Sequence, residues 1–132
     1  MLLASLDIRR DDYDYPLAVQ MIGLWRKAAE IFLHGDYYPL TPFSKSAGQW
    51  VARQIEIPEE HRGLVQALRL KDCPAESFTA YPMVTAPGAD YVFENPETSQ
   101  STKIAGAELA AKGFSFTLPK RSAGIWFYRI CL

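Results

Sequence analysis

The chain has 132 residues, with 14 Lys and Arg against 15 Asp and Glu, a formal charge of −1. That balance supplies no broad cationic field for a polyphosphate backbone and argues against nucleic-acid binding. Hydrophobic residues make up 48 % and charged residues 22 %, the composition of one folded domain and not of a disordered chain.

The opening Met1-Leu2-Leu3-Ala4-Ser5-Leu6 has no basic flank and runs into acidic residues, so it does not read as a signal peptide. No apolar run approaches the roughly 20 residues of a membrane helix, so no membrane partner is expected. Asp14 precedes Tyr15-Pro16, and a proline suits the first helical turn, where its missing donor would be unpaired anyway. Leu17, Met21, Leu24, Ala28 and Ile31 then follow helical spacing, with Ala18, Ile22, Trp25, Ala29 and Phe32 in a parallel row. The spacing predicts a helix over 16–34, stopped by Gly35. Gln20, Arg26, Lys27 and Glu30 leave it only a narrow polar strip. Such a helix is too apolar to lie alone on a surface. It is expected to pack on the rest of the chain with one side and on something outside the chain with another.

After Gly35 the hydrophobic period changes from helical to two. Strands are predicted at Gln49–Ile57, Gly63–Leu70, Ser77–Met83, Ala89–Asn95, Ser99–Ile104, Phe114–Leu118 and Gly124–Leu132. Proline- and glycine-rich turns punctuate them, and Ala107–Lys112 before Gly113 reads as one short helical turn. Between helix and strands, Pro39 and Pro42 make residues 35–44 read as an extended connector with few ladder bonds. Within it, Tyr37 and Tyr38 should point to opposite sides. The fold class is therefore mainly β: an antiparallel sandwich of about seven or eight strands preceded by one long helix. The chain divides into an N-terminal segment, 1–34, and a sandwich domain, 35–132.

Motifs for chemistry are sparse. The sequence holds no glycine-rich phosphate loop and no zinc-protease or serine-hydrolase signature, so no cofactor or metal is expected. Cys73 and Cys131 are far apart and each reads as a buried free thiol. His34 closes the helix, and His61 sits in the turn Glu59-Glu60-His61-Arg62. The acidic group Asp7, Asp11, Asp12 and Asp14, and the pair Glu59 and Glu60, raise glycoside hydrolysis, which needs two carboxyl groups flanking one bond. Both groups read more simply as solvated, helix-end or turn residues. Trp50 and Trp126 are expected in the core, where aromatic rings supply much of a small sandwich's burial.

Residues 35–44, Gly-Asp-Tyr-Tyr-Pro-Leu-Thr-Pro-Phe-Ser, are the most specific stretch. They resemble the segment after the catalytic barrel in melibiase-type α-galactosidases and their glycoside-hydrolase relatives. Trp50-Val51-Ala52-Arg53-Gln54, Pro58-Glu59-Glu60 and Gly63 to Arg69 are similar to that family's first sandwich hairpin. Gly106-Ala107-Glu108-Leu109, Gly113-Phe114 and Ser122 to Arg129 are similar to its closing strands. Asp7 to Asp12 with the following helix resembles the tail of its (β/α)8 barrel. The resemblance implies a last barrel helix followed by a C-terminal β-sandwich. The family's catalytic aspartates lie on upstream barrel strands, and no position here matches them, so no catalytic residue is carried over.

The expectation that follows is a non-catalytic accessory domain bracing a (β/α)8 barrel, with the exposed helix face also open to a second copy of the chain. Asp36, Tyr37 and Tyr38 are the candidates for interface or sugar contact. The alternative is a carbohydrate-binding module with Trp50, Tyr37 or Tyr38 as exposed stacking rings.

Overall fold

The computed structural model describes residues 11–131, so Asp7 and the stretch before it lie outside the described residues. Helix α1 spans Tyr15–His34. Asp14 caps it by accepting the Leu17 N–H at 2.9 Å, and Pro16 occupies its first turn. This pairs one of the donors every helix start leaves open. At the other end the Gly35 N–H donates to the Ile31 carbonyl at 2.8 Å, with φ at −93°. Glycine is needed there for proximity, not for a left-handed turn: a Cβ would lie 2.6 Å from the Ile55 side chain and 2.9 Å from the Glu56 carbonyl.

The strands follow as β1 (Asp36–Pro39), β2 (Trp50–Ile57), β3 (Arg62–Arg69), β4 (Ser77–Ala80), β5 (Asp90–Asn95), β6 (Gln100–Ala105), β7 (Phe114–Thr117) and β8 (Ser122–Cys131), with helix α2 (Gly106–Lys112) before β7. Six form one antiparallel sheet in the order β1-β2-β3-β8-β5-β6, and β4 pairs with β7 in a second. The fold is mainly β, as expected, but the sandwich is uneven.

Alternation along β2 and β3 divides the core in two. On one face, Trp50, Ala52, Val65, Ala67, Tyr91, Phe93 and Tyr128 meet Ala80 and Phe116 of the small sheet and Leu109 of α2. Rings dominate this layer: Phe93 stacks on Phe114 at 4.3 Å and Trp50 on Phe78 at 5.8 Å between centroids. On the other face, Ile55, Ile57, Leu64, Ile125 and Phe127 meet Ala28 and Ile31, with Leu24 and Phe32 alongside. Helix α1 thus takes the place of a second sheet there. Gly63 is crowded within the sheet itself, because an added Cβ would press on the Ile55 carbonyl of β2 and sit 2.6 Å from the Tyr128 hydroxyl of β8.

Several expectations are corrected. Residues 36–39 are not an unpaired connector: β1 pairs residue for residue with Arg53–Glu56, and the Leu40 N–H continues to the Ala52 carbonyl at 3.0 Å. Pro39 is tolerated because it ends an edge strand, where a missing donor breaks no central ladder. The strand predicted to reach Met83 stops at Ala80, since Pro82 follows and side chains hold the next segment. Cys73 is buried but Cys131 is exposed, because it ends the last strand near the sheet's margin. Trp50 is buried as expected, whereas Trp126 is only half-buried.

Candidate functional site

The three candidate residues share the short edge strand β1. Tyr37 lies opposite Ile55 and so belongs to the α1 side of the sheet, where it is 58 % exposed. Tyr38 lies opposite Gln54 on the other side and is half-buried, and Asp36 is exposed opposite Glu56. Trp50 does not join them: it is core, with its Nε1 donating to the Ala75 carbonyl at 3.0 Å. Of the three rings named for stacking, Trp50 is thereby removed, while Tyr37 stands exposed.

Among the described residues, the two acidic groups lie at the helix start and in the β2–β3 turn. Asp14 is spent on the helix cap, and Asp11 and Asp12 are exposed. Glu60 pairs with Arg62, which also holds Glu30 of α1 at 2.9 Å, and Glu59 is exposed. His34 is exposed at the helix end, and His61 sits half-exposed in a left-handed turn with φ 47°. Among the described residues no cluster of His, Cys, Asp or Glu has the makings of a metal centre.

The acid that burial singles out belongs to none of the acidic groups of the sequence. Glu56 of β2 is fully buried. Its carboxylate accepts from the Thr85 hydroxyl at 2.5 Å and from the Gln54 amide at 3.2 Å. The two Gln54 amide protons are shared among that carboxylate, the Tyr128 hydroxyl at 2.7 Å and the Met83 carbonyl at 3.0 Å, while Gln54 Oε1 accepts the Met83 N–H at 2.7 Å. His61 Nδ1 lies 3.0 Å from the Thr85 hydroxyl. Burial pushes the Glu56 carboxyl above its ordinary range, while the Thr85 and Tyr128 hydroxyls and the His61 charge pull it back. The same burial, joined by the nearby Glu56 charge, raises the Tyr128 phenol. This network fixes the segment after β4 to the sheet through side chains, and every member has a partner, as a buried polar group requires. The sequence signal was present: Glu56 continues the inward row of Trp50, Ala52 and Gln54.

Apolar side chains also stand exposed along α1. Leu24, Ala28, Ile31 and Phe32 face the sheet. Of its exposed apolar side chains, Leu17 and Met21 continue that row toward the helix start, whereas Tyr15, Val19 and Leu33 lie on the opposite side, Val19 at 70 % and Leu33 at 79 % exposure. No helix of the described residues is long and apolar enough to cross a membrane. Large apolar side chains left in water on a helix suit an interaction site.

No family model matches the sequence, and no curated protein does. Solved structures do. The GH36 α-galactosidase AgaA of Geobacillus stearothermophilus, in a variant solved with stachyose, aligns over 96 % of this chain with a TM-score of 0.73 and 18 % identity. AgaB of the same organism aligns over 88 % with a TM-score of 0.64 and 20 % identity. The galactosidase domain of an α-galactosidase–sucrose kinase, AgaSK, aligns over 92 % with a TM-score of 0.65 and 17 % identity. This chain spans only 16–17 % of the length of those chains. Its fold is that of one β-rich region within GH36 α-galactosidases, helix and sheets together.

Proposed function

We propose that this chain is a non-catalytic accessory domain of an α-galactosidase-type glycoside hydrolase, docked through the outer face of α1 against a (β/α)8 catalytic barrel. The observation that carries the reading is the two-sided apolar helix. Its inner face completes the sandwich, while its outer face leaves large side chains in water. An ordinary sandwich needs only the first, because exposing several aliphatic side chains stabilises nothing in a free domain. The alignment of both helix and sheets with one region of GH36 chains supports the same reading, since a helix contributed to a neighbouring barrel would show this pattern.

The domain's part in catalysis would be mechanical: to hold the last barrel helix against its neighbours and exclude water from that seam. No residue here is assigned to bond cleavage, because two carboxyl groups across one open site are what the reaction needs and Glu56 is committed to an internal network. The test is hydrolysis of an aryl α-galactoside by the purified chain between acid and neutral pH. The expected result is no turnover above buffer. Turnover that survives stringent purification and is lost on a single acidic substitution in this chain overturns the proposal.

A further inference from the structure

On the α1 side of the sheet, past the carboxyl end of the helix, lies an open groove of about 500 Å3. Val51, Arg53, Gln66 and Leu68 line its floor, with Tyr37 and Phe43 at its rim. Arg53 is the one charged side chain among the described residues lining it. Two contacts fix its guanidinium: Nε donates to Gln66 Oε1 at 2.9 Å, and Cζ lies 5.2 Å from the centre of the Phe32 ring. Neither contact engages the terminal nitrogens, and no other described residue accepts from them. A guanidinium already held in place loses little side-chain entropy on gripping a planar carboxylate with both prongs. Beside it, Tyr37 is 58 % and Phe43 91 % exposed. A preset arginine flanked by open aromatic rings is the kind of anchor that dominates protein interfaces.

We infer that this groove docks an acidic segment of a partner polypeptide, with an Asp or Glu carboxylate on Arg53 and apolar neighbours against Tyr37 and Phe43. Charge complementarity selects this occupant. A neutral apolar segment would leave the guanidinium covered but unpaired, and a basic one would meet like charge. The groove and the outer face of α1 are different surfaces with different residues, so this inference and the helix-docking proposal can fail separately.

The test is an amide-shift titration of the isotope-labelled chain with two blocked tripeptides, Leu-Glu-Leu and its isosteric twin Leu-Gln-Leu, and with galactose as a neutral control. The acidic peptide should move the amides of Tyr37, Phe43 and Val51 and the Arg53 Nε signal. It should bind about tenfold more tightly than its twin, and weaken as salt rises from about 0.05 to 0.5 M. Arg53→Gln should erase the preference, while Arg53→Lys should keep the charge but lose much of the affinity. Equal binding of the two peptides, shifts confined to other amides, or no shift at about 20 mM peptide overturns the inference. So does a response of the same amides to galactose but not to the acidic peptide, which makes the groove a neutral sugar site.

Discussion

Glu56 shows most clearly what a single residue does in this fold. Its carboxyl is fully buried, and burial raises its pKa above the ordinary 4.5. An acid whose pKa is higher folded than unfolded penalises the native state once it ionises. The penalty is present above the folded pKa and is relieved as pH falls through that value toward 4.5. Removing the charge should therefore help most at high pH. We expect Glu56→Gln to gain stability relative to the parent at pH 8 and to lose that gain progressively on acidification, measured as the difference between denaturant-unfolding curves across pH. A difference that is flat with pH, or that grows in acid, contradicts the assignment. Gly63 gives a second residue-scale expectation. Gly63→Ala should cost about 1–3 kcal/mol or more by chemical denaturation, because the new methyl meets the Ile55 backbone and the Tyr128 ring.

Among the elements, α1 is predicted to behave as two helices in one. Ile31 is buried against the sheet, so Ile31→Ala should destabilise the chain by about 2–5 kcal/mol. Val19 and Leu33 point into solvent, and their replacement by glutamine should stay within about 0.5 kcal/mol in the isolated chain. Equal losses on both faces would mean that the outer face is already in use. The two tryptophans should also separate. Trp50→Ala is expected to cost about 3–5 kcal/mol, since the ring is core and its Nε1 is bonded. Trp126→Ala should cost less, since its ring is half-buried beside Phe116.

The same elements show what could be read from sequence. α1 was legible because Asp14, Pro16 and the apolar rows agree, and most strands followed from period-two alternation between turns. β1 was not, because a strand with two adjacent tyrosines and a terminal proline has little alternation of its own; its register comes from β2. The segment after β4 was read too long because Phe78, Ala80 and Pro82 keep the alternation going. What ends the ladder is a set of side-chain bonds from Gln54 and Glu56, invisible to any local pattern. The groove at Arg53 was missed for a related reason. Tyr37, Phe43, Arg53 and Gln66 come together only once β1, β2 and β3 are paired.

For the whole molecule, the uneven architecture is itself the argument. One face of the six-stranded sheet is covered by the small sheet and α2, the other by a helix whose far side is unfinished. A free-standing module would gain solubility from a polar outer face there; a domain that leans on a neighbour needs an apolar one. The most direct measurement is the melting temperature of a separately produced (β/α)8 catalytic domain of the α-galactosidase proposed as its parent, with and without this chain in slight excess. A one-to-one complex that melts several degrees higher than the barrel alone, and that is lost on Val19→Asp with Leu33→Asp, is the predicted result. A barrel that melts unchanged with the chain present, or a complex indifferent to both aspartates, contradicts the docking of α1.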